Sequence, residues 1–504
     1  MSTEMKVKDI LKITEGKLLQ GDLEAVCGEF SYDTRVMKEN DVYIGIKAET
    51  IDGSEYWEEA FKNGGKIVII NPIKIEEKLL TKWQDKTIIV VKDSLVALQK
   101  IAKYKRELFG ENLKVVAITG SVGKTSTKDM VANVIAQKYK TLKTMGNYNN
   151  HIGLPLTLLR LTDQEVAVVE MGMNHFGEIR VLTNIAKPDL AIITNIGTSH
   201  IGNLGSRENI LKSKLEILEG MDKKEIIVNQ DNDLLGKWQR DNEKNPELKI
   251  HSFAIKDDKE AVSACEVWAT DIDLKENGSS FVCHLVNNEK EEFFDVNVPV
   301  GGIHFVYNAL CATLAGKILG IENDKIKNGI ETFSLTKKRM EVENLPNGVT
   351  VINDAYNASF ESIQASLSCL SGYKNRRKIA VLGDVFELGD FAEEMHRKIG
   401  KAVANSDVDV LLCCGEYSKF VAEEAKSGKL EQVKYFENKE EILNYLIKSA
   451  KSGDVILFKA SNGMKFFELC NKFVEIFSNS WYNETTNYVL GNSYKFPRIY
   501  TLYT

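Results

Sequence analysis

The sequence predicts an α/β protein with three domains, and three observations support this class. The chain has 504 residues, which is more than one hydrophobic core usually organises. It is 43% hydrophobic and 27% charged, as in folded globular proteins. Strand-sized apolar runs alternate with helix-length segments along most of the chain, a pattern typical of parallel sheets covered by helices.

The first two predicted domains are residues 1–112 and residues 113–335. In the first, three short apolar strands predict a small α/β domain: Val42–Ile46, Lys66–Ile70 and Thr87–Val91. In the second, four strand-sized apolar runs predict a doubly wound, P-loop ATPase-like sheet: KVVAITG, EVAVVEMG, DLAIITNIG and EIIVNQD. Apolar and polar residues then alternate between His251 and Val300, which predicts a few antiparallel strands appended to this sheet.

The third predicted domain, residues 336–504, repeats the alternating pattern with VTVIND, KIAVLGD, DVDVLLCCG and DVILFKA as strands. This predicts a second, Rossmann-like doubly wound sheet. Residues 480–504 form a tail rich in Tyr, Asn and Thr that shows no helical period. A docked extension, an interaction tail and a local peculiarity of this chain all stay open for it.

Charge and cysteine usage exclude several classes of protein. The net charge of −7 argues against a general nucleic-acid-binding surface. No apolar run approaches the roughly 18 to 20 residues of a membrane span, and the N-terminus lacks the pattern of a signal peptide, so we expect a cytoplasmic protein. The eight cysteines show no CxxC spacing, which favours reduced, buried thiols over disulfides or a zinc site.

The strongest chemical signal is the segment AITGSVGKTSTK, which follows a strand and opens a helix. The strict P-loop pattern fails because Ile118 stands where its first glycine should be. Gly120 and Gly123 still allow backbone N–H groups to curl around a phosphate at a helix N-terminus. Lys124 supplies a cation and Thr125 a hydroxyl for Mg²⁺.

Two further polar residues follow neighbouring predicted strands. Glu170 ends VAVVEMG, and His200 closes the segment TNIGTSH. Because carboxyl ends of parallel strands form the ligand crevice, both should face the phosphate loop and suit Mg²⁺ bound to nucleotide phosphates. Taken separately, a helix cap for Glu170 and an ordinary loop histidine for His200 are equally good interpretations.

Lys212 and Lys214 lie in a helical segment, ENILKSKLEIL. Two lysines two residues apart point to different faces of a helix, so one can turn inward while the other is solvated. From the residues alone, a solvated face is the better interpretation of both.

Together with these motifs, several longer segments of the chain resemble those of a known family. The segments that carry the resemblance span Phe30 to Lys465 and include YDTRVMKENDVYIGIKAETIDG, TGSVGKTSTK, TMGNYNNHIGLPLTLLRL, EMGMNHFGEIRVL, ENILKSKLEIL, GGIHFVYNAL, VINDAYNAS and VLGDVFELG. They resemble the ATP-dependent Mur ligases of peptidoglycan synthesis, most closely the type that adds D-alanyl-D-alanine to UDP-N-acetylmuramoyl-tripeptide. So many matches in order are specific for the family and less specific for the member.

The resemblance implies ATP and Mg²⁺ as cofactors. It implies that the loop Gly120, Ser121, Val122, Gly123, Lys124, Thr125 and Ser126 holds the phosphates, and that Asn308, Arg339 and Asp354 hold the rest of ATP. Thr125, Glu170 and His200 would form the metal environment. Lys214 matches a lysine that carries a carbamate in the family, which reverses the interpretation of it as a solvated side chain. An amine must be neutral to take up CO₂, so its pKa should be lowered.

The resemblance also implies the substrate contacts. Thr34, Arg35 and Lys47 fall in the segment that grips the UDP group, and Asn149 and Asn150 in the loop that faces the muramoyl group. Asp384 and Lys459 would line the third domain where the dipeptide docks. The implied partners are therefore UDP-muramoyl-tripeptide and D-alanyl-D-alanine, with no nucleic acid, and we expect a monomer.

Three residues depart from the family's pattern. Ala48 and Ala460 stand where the family commonly has Gly, which stiffens a turn. Asn462 stands where the pattern KGSR places Arg. An amide cannot bind a carboxylate bidentately as a guanidinium does, so this departure bears on the identity of the incoming amine.

The implied reaction is ligation through an acyl phosphate, which predicts a hinge between domains near Thr336. Other amines stay open, as in the sibling enzymes that add a diamino acid or lysine, although no DNPR-like tetrapeptide is present. A folylpolyglutamate synthase is disfavoured by the UDP-type N-terminal segment. A nucleotide-binding regulatory protein that has lost turnover is a rival from another class, motivated by Asn462 and the tail.

Overall fold

The computed structural model describes residues 4–255, 265–287, 290–335 and 339–489. Backbone packing divides the chain into two compact units. The first comprises Met1–Thr336 together with the short segment Glu387–Gly389, and the second comprises Lys337–Phe386 and Asp390–Thr504. The predicted hinge residue Thr336 lies outside the described residues, so the hinge stays a prediction, as do the three domain boundaries.

The first unit begins with a five-stranded sheet of order β1-β5-β4-β3-β2, in which only β1 is antiparallel to its neighbour. Its core contains Trp57, Phe61 and Val68. Its elements are α1 (Val7–Thr14), β1 (Lys17–Gln20), β2 (Phe30–Ser31), β3 (Val42–Ile44), α2 (Trp57–Lys62), β4 (Ile67–Ile70), α3 (Glu77–Lys82), β5 (Thr87–Val90) and α4 (Ser94–Glu107).

The same unit contains a nine-stranded sheet of order β14-β13-β12-β11-β10-β9-β6-β8-β7. Its parallel part consists of β6 (Lys114–Thr119), α5 (Lys124–Ile135), β7 (Thr141–Lys143), α6 (Gly153–Leu159), β8 (Val166–Glu170), α7 (Glu178–Ala186), β9 (Leu190–Ile193), α8 (Ile201–Leu204), α9 (Arg207–Leu215), β10 (Lys224–Asn229), α10 (Asp233–Asn242) and β11 (Leu248–Ile255). Strands β8 and β9 are buried throughout, because helices cover both faces of a parallel sheet. Chain order reverses between β6 and β9, which is where such folds bind ligands.

The antiparallel extension begins later than the alternation predicts. Residues 251–255 belong to β11, which is parallel to β10, and β12 is also parallel to β11. Antiparallel pairing starts only between β12 and β13 and continues to β14. The remaining elements of the unit are β12 (Val267–Lys275), β13 (Gly278–Asn287), β14 (Lys290–Val298), α11 (Ile303–Ile318) and α12 (Asn323–Glu331).

The second unit contains a six-stranded sheet of order β15-β16-β20-β17-β18-β19, parallel except for β15. Its core includes Val351, Val381, Phe458 and Phe466. Its elements are β15 (Glu341–Asn344), β16 (Thr350–Asn353), α13 (Phe360–Ser371), β17 (Lys378–Gly383), α14 (Ala392–Ala404), β18 (Val410–Cys414), α15 (Ser418–Ala425), β19 (Gln432–Phe436), α16 (Lys439–Ser449), β20 (Val455–Lys459) and α17 (Phe466–Val489). The three sheets confirm the predicted α/β class.

The first part of the tail is helical. Residues 480–489 continue α17 as helix, although Asn, Thr and Tyr are only moderate helix formers. A helix that is already nucleated is extended at low cost. Residues 490–504 lie outside the described part of the chain.

All eight cysteines are free thiols, and all except Cys27 are buried. Burial raises the pKa of the Cys27 thiol to about 12 and that of Cys283 to about 12 as well, so both are unreactive thiols rather than thiolates. No helix within the described ranges is long and apolar enough to cross a membrane.

Candidate active site

The loop after β6 is fastened to the residues that follow β9. Thr194 Oγ1 donates to the Val122 carbonyl at 2.7 Å, and Ser121 N donates to the Asn195 carbonyl at 3.0 Å. Val122 N donates to Asn195 Oδ1 at 3.0 Å, and Gly197 N to Ser121 Oγ at 2.9 Å. These bonds hold the loop in one shape at the carboxyl edge of the sheet.

Two glycines make this shape possible. Gly120 has φ +153°, and a Cβ there would lie 1.9 Å from Thr194 Oγ1. Gly123 has φ +80° and precedes the first residue of α5. Only glycine fits both requirements, so the loop N–H groups and the helix N-terminus form a site suited to an anion.

The cation of this loop lies over its backbone. Lys124 Nζ donates to the carbonyls of Gly120 at 2.7 Å and Ser121 at 3.1 Å. Ser126 is half-buried in the first turn of α5. The ammonium group is therefore at the rim of the anion site and can meet the phosphates of a nucleotide there.

A buried carboxylate borders the loop. Glu170 is 2% exposed; its Oε2 accepts from Thr125 Oγ1 at 2.9 Å, and its Oε1 accepts from Asn149 Nδ2 at 2.7 Å. A hydroxyl beside a carboxylate, next to a phosphate site, is the donor set that Mg²⁺ uses when it bridges protein and nucleotide. The described residues contain no group of three or more His, Cys, Asp or Glu arranged as a metal cluster.

Lys214 turns inward and Lys212 outward. Lys214 is 1% exposed, whereas Lys212 is exposed. Burial lowers the pKa of the Lys214 amine well below its ordinary value, and repulsion from the Lys124 ammonium lowers it further. The neutral form of the amine is therefore favoured, and the contribution of Lys124 places it in the electrostatic range of the phosphate loop.

His200 has left-handed backbone geometry, with φ 66° at the start of α8. Its Nδ1 lies 2.5 Å from Oε2 of Glu387. The close contact with His200 lowers the pKa of the Glu387 carboxyl below its ordinary value despite its partial burial, and the nearby Lys124 ammonium lowers it further. Glu387 therefore belongs to the same site, although the sequence analysis did not select it from VLGDVFELG.

Asn308 lies on α11 beside the phosphate loop helix. Its Oδ1 accepts from Thr127 Oγ1 at 2.9 Å, and this fixes which way the amide faces. Its Nδ2 is buried and has no hydrogen-bond partner within the described structure. Because buried donors are rarely left unpaired, this nitrogen is a candidate to bind a ligand atom and fits the ATP-binding role expected for Asn308.

The residues expected to grip the UDP substrate are spread over the N-terminal sheet and its neighbouring loop. Thr34 Oγ1 donates to Glu59, and Arg35 pairs with Asp33 while largely exposed. Lys47 is exposed. Asn150 Oδ1 accepts from Ile152 N and Gly153 N in the turn that leads into α6. Arg35 and Lys47 therefore have side chains available to a ligand, and Asn150 has a local structural role.

Two of the predicted residues of the second unit pair with each other, and the others contact residues that were not predicted. Lys459 is 2% exposed and forms a salt bridge with Asp354, which also accepts from Ser366 Oγ at 2.7 Å. Asp384 Oδ1 accepts from Ser418 N at 2.8 Å and Ser418 Oγ at 2.6 Å, so it caps α15. The Arg339 guanidinium lies 4.4 Å from the centre of the Tyr356 ring.

Sequence reasoning missed another carboxylate. Glu216 is 5% exposed and accepts from Gly177 N at 2.8 Å and Arg180 N at 3.1 Å, which ties the end of α9 to the start of α7. Its spacing two residues after Lys214 was the only available signal. Thr194 and Asn195 lie in the segment TNIGTSH, which was expected to face the loop, but neither was singled out as a site residue, because their partners are backbone atoms of the phosphate loop.

Two family models match the chain: the Mur ligase middle domain over residues 118–316, and the Mur ligase, glutamate ligase domain over residues 338–462. The UDP-N-acetylmuramoyl-tripeptide--D-alanyl-D-alanine ligase of Bacillus subtilis is 36% identical over 477 residues, covering 93% of this chain and 98% of the relative. The ligase of the same name from Haemophilus influenzae is 31% identical, covering 92% of this chain and 96% of the relative.

Solved structures agree with the sequence relatives. A crystal structure of MurF from Acinetobacter baumannii has a TM-score of 0.82 at 28% identity, covering 94% of this chain and 99% of that one. MurF ligase from Thermotoga maritima in complex with ADP has a TM-score of 0.75 at 26% identity, covering 90% and 98%. The resemblance found in the motifs is thus confirmed over nearly the whole length, and the chain belongs to the Mur ligase family.

Proposed function

We propose that this chain is an ATP-dependent amide ligase that joins D-alanyl-D-alanine to UDP-N-acetylmuramoyl-tripeptide and releases ADP and phosphate. The observation that carries the proposal is the contact of Thr125 with the buried Glu170 beside a phosphate loop. The substrates in the proposal are those in the names of the curated relatives, which the chain matches over nearly their whole length.

In the first step, a carboxylate oxygen of the tripeptide attacks the γ-phosphorus of ATP, forming an acyl phosphate and releasing ADP. The loop N–H groups and Lys124 align the phosphates and offset the negative charge that spreads over the γ-phosphoryl oxygens. Asn308 offers its unpaired Nδ2 to the nucleotide. In the second step the dipeptide amine attacks the acyl carbon, the C–O bond to phosphate breaks, and the amine loses a proton. No covalent enzyme nucleophile is needed.

Thr125, Glu170 and His200 would hold Mg²⁺, whose role when bound is to neutralise charge on the phosphate oxygens. Lys214 would add a ligand to a second ion after its neutral amine attacks CO₂, forming an N–C bond and releasing a proton. The burial and lowered pKa of Lys214 support this proposal, because only the neutral amine has the lone pair that the step requires.

Asn462 bears on the identity of the incoming amine, so the assay should include several dipeptides. It opens a short turn after β20, close in sequence to Lys459. An amide there gives a dipeptide carboxylate one hydrogen bond and no charge. We therefore expect weaker discrimination among C-terminal residues of the dipeptide than a guanidinium would give.

The decisive experiment measures phosphate release from ATP with UDP-muramoyl-tripeptide, with and without D-alanyl-D-alanine, and identifies the product by mass spectrometry. Tripeptides ending in diaminopimelate and in lysine should be compared. Ligation predicts sustained release only when both substrates are present, and loss of release in Lys124→Ala but not in the exposed-lysine control Lys212→Ala. Nucleotide binding without release for any amine would instead support the regulatory protein.

A further inference from the structure

The helix that begins at the phosphate loop contains a buried lysine. Lys128 is 2% exposed and lies four residues after Lys124 on α5. Burying an ammonium group is costly unless protein atoms replace its contacts with water. Two contacts do so here, because Lys128 Nζ donates to the Thr144 carbonyl at 2.8 Å and lies 3.2 Å from Oδ1 of Asp129. The steps of the proposed reaction do not use this amine, so its burial needs another reason.

Neutralising Asp129 does not by itself account for the lysine. Asp129 is buried, and its Oδ1 also accepts from Lys143 Nζ at 2.8 Å. The carboxylate therefore keeps a cationic partner even without Lys128. The bond to Thr144 is different, because it goes to a main-chain carbonyl and an apolar side chain at position 128 could not supply it.

Thr144 is the residue from which the β7–α6 loop, residues 145–150, leaves the sheet. It is fully buried, its N–H donates to the Val168 carbonyl at 3.1 Å, and its Oγ1 accepts from Glu170 N at 3.0 Å. The bond from Lys128 adds a restraint at the carbonyl group, which is covalently joined to the first residue of the loop. Lys128 therefore fixes the direction in which the loop leaves the sheet.

The other end of the loop is fastened to the candidate active site. Asn149 Nδ2 donates to the buried Glu170, and the Asn149 carbonyl accepts from Gly172 N at 2.9 Å. A Cβ on Gly172 would lie 2.9 Å from Asn149 Oδ1, so the amide is closely fitted. Between the two anchors, Met145 and Tyr148 have exposed side chains. A loop that is held at both ends and exposes large side chains beside the site is well placed to contact a substrate.

We infer that Lys128 is a positioning residue for substrate binding, which from within α5 fixes the β7–α6 loop relative to the phosphate loop. The loop is thereby held beside the place where the substrate carboxylate meets the γ-phosphate. The inference rests on the proposed function for the identity of the substrate. Because the loop is held in the same place before and during the reaction, its contacts stabilise the bound substrate and the transition state equally. Their loss raises KM and leaves kcat unchanged.

Lys128→Met tests the inference, because methionine has a similar length but neither charge nor hydrogen-bond donor. Replacing a buried ion pair with apolar side chains often costs little stability. In the phosphate-release assay, the KM for UDP-muramoyl-tripeptide should rise about 10-fold or more, since the lost hydrogen bond has a charged donor. The kcat and the KM for ATP should stay unchanged, and hydrogen exchange over residues 145–150 should become faster. A merely structural lysine would instead lower the amount of folded enzyme, and hence the apparent kcat, without changing KM.

Lys143→Met is the matched control, because it removes the other cation beside Asp129 and leaves the bond from Lys128 to Thr144 in place. It should behave as wild type. If Lys128→Met does not fold, Lys128→Gln takes its place. An unchanged KM for UDP-muramoyl-tripeptide in the Lys128 variant overturns the inference, as does an equal rise in Lys143→Met.

The proposed function can fail separately. Binding of UDP-muramoyl-tripeptide to wild type without phosphate release for any amine would count against ligation alone. Calorimetric titration of the same variants with UDP-muramoyl-tripeptide would then decide the role of Lys128, since weaker binding in Lys128→Met and unchanged binding in Lys143→Met support it and equal binding in all three proteins overturns it.

Discussion

Replacing Lys214 with methionine tests whether its amine is buried in the neutral form. The side chain is 1% exposed, and its pKa is lowered by burial first and by Lys124 second. In the unfolded chain the amine keeps its ordinary pKa of about 10.4. Between the lowered pKa and that value, the unfolded state binds more protons than the folded state. The free energy of unfolding must therefore rise with pH in this window.

The size of the effect follows from proton linkage. Each pH unit over which the amine is neutral when folded and charged when unfolded adds about 1.4 kcal/mol to the free energy of unfolding. Wild type should thus gain up to about 2 kcal/mol relative to Lys214→Met between about pH 8 and about pH 9.5. At the lower pH the variant should be the more stable protein, because methionine removes the cost of burying an amine.

Urea unfolding in metal-free, CO₂-free buffer measures this difference, since CO₂ would consume the neutral amine. Tryptophan fluorescence suits the first unit, which contains four of the five tryptophans, at positions 57, 83, 238 and 268. Lys212→Met, at an exposed position on the same helix, should follow wild type at every pH. Parallel curves for wild type and Lys214→Met would refute the reasoning, because they would show an amine that titrates normally.

Three more outcomes are expected. Gly120→Ala should abolish binding of an ATP analogue in calorimetry, because the new Cβ would lie 1.9 Å from Thr194 Oγ1. The control is Gly177→Ala, at φ +84° with no atom within 4 Å of the new Cβ. It should lose only about 1 to 2 kcal/mol of stability. Asn308→Ala should weaken the analogue about 10-fold, the worth of one buried hydrogen bond, and an unchanged affinity would remove Asn308 from the site. The carboxylates of Glu266 and Glu225 raise the pKa of His251, although burial alone would lower it. The stability that His251 confers should therefore be complete below about pH 6.5 and be lost as the pH rises through the raised pKa. A pH-independent difference in Tm between wild type and His251→Gln would contradict this.

The sequence was informative wherever chemistry is local. The phosphate loop could be found because Gly120, Gly123, Lys124 and Thr125 are consecutive parts of one strand-to-helix turn. The position of Glu170 followed from a general property of parallel sheets, since neighbouring strands end at the same edge. The sheet classes followed for the same reason, because apolar periodicity reports burial on one or both faces.

Other features depend on contacts between distant positions. The sequence alone does not show whether Lys212 or Lys214 points into the protein, because that depends on how α9 packs. Glu387 lies beside His200 although the two residues are 187 positions apart in the sequence, and no local sequence pattern marks such a pair. The first residues of the tail became helical through continuation of α17, which composition alone does not reveal.

The bonds between the phosphate loop and Thr194, Asn195 and Gly197 have a consequence for nucleotide binding. A flexible loop must lose conformational entropy when it closes around a ligand, and that loss subtracts from affinity. Here the backbone is already restrained by the neighbouring strand, so nearly all of the interaction energy with phosphates can appear as affinity. The Lys124 side chain exchanges its two carbonyl acceptors for phosphate oxygens, a rearrangement of one side chain that needs no movement of the sheet.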